Sequence, residues 1–128
     1  MALIDHPTNS VSEQVIGAAI EVHRGLGPGL LESSYHTCLC RELVLRDIPY
    51  RSQVALPIQY KGVQIGKGYV IDLLVHDSLV VEIKSVDKLL KIHSSQLMTY
   101  MRLLGLSSGL LINFNVPNLL HGLRRILR

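Results

Sequence analysis

With 128 residues, 48% of them hydrophobic and 18% charged, the chain has the make-up of a packed globular protein with one core, which excludes the disordered and fibrous classes. Thirteen Lys and Arg against ten Asp and Glu leave a net charge of +3, a balance that permits a polyanionic partner without demanding one. No run approaches the roughly 20 apolar residues of a membrane span, and the start MALIDHPTNS lacks the basic-then-apolar order of a secretory signal. The expectation is a single domain over 1–128, cytoplasmic and without a membrane partner.

Ser10 followed by Glu13 has the spacing of a capping box, and VSEQVIGAAIEVHR places Val15, Ala19 and Val22 on one helical face, with Gly25 as its stop. After the turn GLGPG a second helix is expected from about Gly29, burying Leu31, Tyr35, Leu39 and Leu43 and stopped by Asp47 and Pro49. Cys38 and Cys40 lie on this helix at a spacing that suits neither a redox pair nor a zinc knuckle, so both read as reduced packing residues.

From Tyr50 the period becomes two. Val54, Leu56 and Ile58 alternate with polar residues, and KGV turns the chain into QIGKGYVIDLLV. Helical spacing returns in LLKIHSSQLMTYMRLLG, with Leu97, Met101 and Leu104 on one face and Gly105 as C-terminal stop. SGLLINF is a further strand, and the tail LLHGLRRILR fits an edge strand better than a short helix, although its period decides nothing. The order is helix, helix, a meander of three or four strands, helix, strand, strand, with no internal repeat and no linker.

Three charges interrupt the apolar hairpin YVIDLLVHDSLVVEIKSV. A three-residue loop at His76–Ser78 pairs Val75 with Leu79, which sets Asp72 across from Glu82 and Val70 across from Lys84, all three charges on one face. A two-residue loop would scatter polar and apolar residues over both faces. Facing carboxylates repel, the more so when partly buried, and call for a cation between them. Lys84 supplies part of that charge, and a hard divalent ion with oxygen ligands would supply the rest. Taken alone, Glu82 and Lys84 alternating with apolar residues read more simply as a solvent-facing stripe. His93, Gln96 and Tyr100 form a band beside the apolar face of the third helix, either a polar flank or a border to the acids. Glu32, expected at the third position of the second helix, serves equally well as a capping residue or as part of a site.

Gly29, Glu32 and Tyr35 spell GxxExxY. Together with Asp72, the triplet Glu82-Ile83-Lys84, the pair Gln96 and Tyr100, and the strand GLLINFNV, they make the chain resemble the small GxxExxY proteins of the PD-(D/E)XK nuclease-like superfamily, from about Val15 to the C-terminus. That resemblance implies an α/β fold with a mixed sheet: a restriction-endonuclease-like core of helix-strand-strand-strand-helix-strand, preceded by an extra N-terminal helix. It implies that Asp72, Glu82 and the Ile83 carbonyl bind Mg²⁺ or Mn²⁺, that Glu32 is a further ligand or water-holder, that Lys84 orients the attacking water, and that Gln96 and Tyr100 line the phosphate side. The chain departs from the pattern at Val70, where relatives carry a basic residue two positions before the first acid, which weakens the expected phosphate contact there.

The implied function is a metal-dependent nuclease acting on DNA or RNA with low intrinsic sequence preference, since little surface is left for reading bases. The competing reading is a non-catalytic nuclease-fold module that binds nucleic acid or a protein partner, as a homodimer or in a larger assembly. In its favour stand the modest charge and only 5% aromatic residues with no Trp, a poor stock for stacking bases. A third reading is a plain ion pair of Lys84 with one acid. Arg124, Arg125 and Arg128 in the tail either touch phosphates or protect an edge strand, the second being the better fit.

Overall fold

The computed structural model describes residues 7–66 and 68–128, with side chains from Ser10 onward. Helix α1 spans Pro7–Leu26 and α2 Glu32–Leu45; strand β1 is Tyr50–Leu56, β2 Gln59–Tyr60, β3 Val63–Gln64, β4 Tyr69–Val75 and β5 Leu79–Lys84; α3 is Lys91–Leu104, β6 Ser108–Asn113 and β7 Leu123–Leu127. Five strands form one sheet in the order β1-β4-β5-β6-β7, antiparallel throughout except for the parallel pair β5 and β6. A parallel pair needs a crossover, and α3 provides it. No described helix is long and apolar enough to cross a membrane.

Apolar side chains cover both sheet faces, so the architecture is three-layered. On one face Val15, Ala18, Ala19 and Val22 of α1 and Tyr35, Leu39 and Leu43 of α2 bury Leu73, Val75, Leu79, Val81, Ile83, Leu110 and Ile112. On the other, Leu97, Tyr100 and Met101 of α3 cover Leu56, Ile71, Leu74, Val80 and Leu111. Strands sheathed on both sides read as the near-continuous apolar runs seen in LVVEIK and SGLLIN. Cys38 and Cys40 are free and half-buried against the first core, as expected of packing residues.

Several local expectations are corrected. Helix α1 is already helical at Pro7, the first described residue, so Ser10 and Glu13 lie inside it and not at its start. It ends at Leu26, beyond Gly25, where the Gly27 amide caps back to the His23 carbonyl at 2.7 Å. Helix α2 starts at Glu32, which makes Leu31 the extended residue before the helix and leaves it 75% exposed, no longer on the buried stripe. Strand β1 stops at Leu56 because Pro57 has no N–H to donate, and the segment after it folds into the separate β2–β3 ribbon. The tail is both of its alternatives in turn: a 3₁₀ turn at Leu119–Gly122, capped by the Asn118 side chain, then edge strand β7.

Gly122 permits a close approach. A Cβ there would collide with the backbone carbonyl oxygen of Asn113. Gly122→Ala is therefore expected to destabilise the protein by roughly 3 kcal/mol, seen as a lower denaturant midpoint with an unchanged slope.

Candidate functional site

The hairpin register is the one the odd loop implies. Val75 pairs with Leu79, Leu74 with Val80 and Leu73 with Val81. One step further the backbone ladder gives way to side chains: the Asp72 amide donates to Glu82 Oε1 at 3.2 Å, and the Ile83 amide donates to Asp72 Oδ2 at 2.8 Å. Here β4 and β5 part, and the two acids fill the fork between them.

A second irregularity meets the first. Ser52 pairs with Leu73 and Val54 with Ile71. Residues two apart on a strand normally share a face, yet Leu73 packs under α1 and α2 while Ile71 packs under α3. Both strands turn over at the intervening position, where Gln53 has φ 54° opposite Asp72. The expectation that strict alternation places Asp72 on one face with Glu82 and Lys84 is thus corrected: Asp72 sits at the turnover and borders a groove of about 530 Å³ lined by Leu31, Glu32, Ser33, His36, Gln53 and Asp72.

Glu82 is 8% exposed. Burial first, and the Asp72 charge second, push its carboxyl up to about 8; the Asp72 amide and the Lys84 ammonium oppose this without cancelling it. Lys84 is half-buried and forms no ion pair among the described residues, so a simple Lys84–carboxylate bridge is not what balances the acids. Burial also raises the Glu32 carboxyl; Lys84 opposes that shift, Asp72 adds to it and His36 opposes it. Tyr100 is 8% exposed, and its phenol is held above its usual range by burial, then by Glu82, Tyr69 and Asp72. It therefore stays a protonated donor at neutral pH. Gln96, one turn earlier on α3, is exposed. His93 turns inward to its own helix end, its Nδ1 accepting the Leu90 amide at 3.0 Å.

No group of three or more His, Cys, Asp and Glu side chains is gathered at metal-binding distance among the described residues; Glu32 stands across the groove from the acid pair. The donor chemistry of the pair still fits a hard divalent ion. Asp72 and Glu82 each use one oxygen on an amide and keep the other, and a buried Glu82 carboxyl this close to the half-buried Asp72 needs either a shared proton or a cation.

The GxxExxY stretch acquires a physical meaning. Gly29 has φ 100°, a conformation that favours glycine, and its amide donates to Asn115 Oδ1 at 3.1 Å. The Tyr35 hydroxyl donates to the Gly27 carbonyl at 2.6 Å and accepts the Leu30 amide at 3.1 Å, while its ring stacks on Phe114 at 4.6 Å. The Ser85 hydroxyl donates to the Leu30 carbonyl at 2.6 Å. Every tie holds the loop that presents Glu32 beside the end of β5. Tyr35→Phe, which keeps the ring and removes both bonds of the hydroxyl, should cost about 1–3 kcal/mol and lower the melting temperature without disturbing the far sheet edge.

Residues missed in the sequence complete the frame. Asn113, 2% exposed, accepts the Val86 and Asn115 amides and donates to the Val86 carbonyl, which fixes the chain leaving Lys84. His36 joins Ser52 Oγ at 2.8 Å and Gln53 Nε2 at 3.3 Å, bracing the wall of the groove. An NFN at a strand end signals only a turn, and His36 lies four residues after Glu32 on a helix, so spacing pointed weakly to the second and not at all to the first.

A family profile described as the PD-(D/E)XK nuclease superfamily matches residues 9–126. The chain belongs to the PD-(D/E)XK nuclease superfamily. The mixed five-stranded sheet between helices agrees with that superfamily's restriction-endonuclease-like fold. No curated protein and no solved structure gave a significant match. PD-(D/E)XK nucleases typically use divalent metals, and the acid fork of this member lies where β4 and β5 diverge, beside Lys84.

Proposed function

We propose that this protein is a GxxExxY-type nuclease that hydrolyses phosphodiester bonds of nucleic acid with Mg²⁺ or Mn²⁺, with low intrinsic sequence preference. The observation that carries the reading is the buried Glu82 carboxyl held against the half-buried Asp72 in the strand fork, flanked by the Lys84 ammonium, which has no ion-pair partner among the described residues, and opening on a groove. A divalent ion held by Asp72, Glu82 and the Ile83 carbonyl would supply Lewis acidity and neutralise charge on the phosphate.

The chain's own groups supply the rest. Lys84, two residues after Glu82, would hold and orient the attacking water and, as a positive charge, stabilise the hydroxide that it becomes. Glu32, presented from the first position of α2 with its carboxyl raised by burial, would hold a second water across the groove. Tyr100 would donate its phenol proton toward the phosphate side, with the exposed Gln96 amide continuing that border. Neither residue competes for the acids, because each has its own place on α3.

The test is incubation of the purified protein with supercoiled plasmid, linear duplex, single-stranded DNA and RNA in Mg²⁺ or Mn²⁺. Cleavage that fails in Asp72→Asn supports the reading. Binding of these substrates with no turnover by the wild type would instead make the chain a non-catalytic nuclease-fold module.

A further inference from the structure

The β2–β3 ribbon has no role in the core. Every residue from Gln59 to Gly66 is exposed, including Tyr60 at 62%, Val63 at 66% and Ile65 at 43%. Two-stranded ribbons are marginal by themselves, yet this one is well made. Lys61 and Gly62 both have positive φ, as a tight two-residue hairpin turn requires, and the Ile65 amide donates to the Ile58 carbonyl at 2.8 Å.

Position and charge narrow its purpose. The ribbon extends from the ends of β1 and β4, at the same sheet end as the β5 terminus that carries Lys84. Its base, Tyr69, faces Tyr100 with ring centroids 6.2 Å apart, and Tyr69 precedes Asp72 by three residues, roughly 10 Å along the strand. From Leu56 to Ile71 the sequence has no acidic residue and contains Lys61 and Lys67. At the tip, Lys61 Nζ stands 5.3 Å from the centre of the Tyr60 ring.

We propose that the ribbon is a groove-binding element for duplex DNA. This rests on the nucleic-acid reading above and names its substrate class. A two-stranded ribbon fits the B-form major groove, about 12 Å wide and 8.5 Å deep, whereas the deep, narrow major groove of A-form RNA excludes it. With Lys61 on phosphate and Tyr60, Val63 and Ile65 against base edges and sugars, the duplex would cross the acid fork about three to five base pairs from the ribbon, at 3.4 Å per step. Those contacts are shape-directed and apolar, so they position a duplex without imposing a strong sequence preference.

The test uses the full chain with Ca²⁺ in place of Mg²⁺, to permit binding without turnover, and fluorescent 20-base-pair duplexes of DNA and RNA and a DNA single strand as probes. The variants are Lys61→Ala and the triple Tyr60→Ser, Val63→Ser, Ile65→Ser, all at exposed positions; circular dichroism and melting temperature check that they fold. Expected are a preference of the wild type for duplex DNA, a loss of about tenfold or more in the triple variant, and a salt dependence shallower by about one unit of slope in Lys61→Ala. Unchanged duplex affinity in the triple variant overturns the proposal, as does equal binding of duplex RNA. So does a wild-type dimer in light scattering that the triple variant abolishes, which would make the ribbon a contact between copies. If the wild type cuts DNA while the ribbon variants match it, only the ribbon assignment falls. If the wild type neither binds nor cuts any probe, the nuclease reading falls with it.

Discussion

Asp72→Asn is expected to reduce cleavage about 10³-fold or more while leaving the fold nearly intact. The substituted side chain keeps an oxygen to accept the Ile83 amide, which the native carboxylate holds at 2.8 Å, so the fork survives. What disappears is one of the two negative charges that would grip the ion, and with it several kcal/mol of transition-state charge stabilisation. Calorimetric titration with Mn²⁺ should show affinity lost in this variant, and rates on plasmid DNA should fall to background. Lys84→Met gives the complementary result, a loss of about 10²–10⁴-fold in rate with ion affinity kept, because Lys84 acts on water and not on the ion. Equal loss of ion affinity in both variants would contradict that division of labour.

A second large effect follows from Glu82. Its carboxyl holds a proton up to about 8 in the folded protein, against the usual 4.5 of an exposed carboxyl. The folded state therefore binds the proton more tightly than the unfolded one between these values. Stability should be greatest below about 4.5, decline as pH rises toward 8, and level off beyond, by a total on the order of a few kcal/mol. Glu82→Gln has no charge to desolvate and should flatten this part of the profile, measured by urea unfolding across pH in a chelator. The same proton links to the ion: at pH 7 each Mg²⁺ or Mn²⁺ bound should release about one proton in the wild type and close to none in Glu82→Gln. Calorimetry in two buffers of different ionisation enthalpy reads that difference directly.

What the sequence makes legible depends on whether the determinant is local. The register of Val75 with Leu79 followed from the loop and the period of two, both short-range, and the opposition of Asp72 and Glu82 followed from it. The faces of α1 and α3 followed from helical spacing, which Val15, Ala19, Leu97 and Met101 obey. The turnover at Gln53 and Asp72 did not, because a strand that changes faces in step with its neighbour leaves the pairing register untouched and the sequence pattern only slightly disturbed. Glu32 stands at the first position of α2 where its spacing suggests the third, since Gly29 marks the loop and not the helix start. The Asn113 clamp on Val86 and the Asn115 bond to Gly29 span 27 and 86 residues, beyond the reach of any periodicity.

The fork has one more consequence. Asp72 and Glu82 occupy a rung of the sheet that main-chain groups would otherwise fill, so any cation seated there is wired into the scaffold and not appended to it. Truncating either acid removes a structural tether along with a ligand, whereas an amide isostere cuts only the charge. Alanine scanning would thus merge two roles that Asn and Gln keep apart, and a folded but silent Asn variant would say more about chemistry than any unfolded Ala variant.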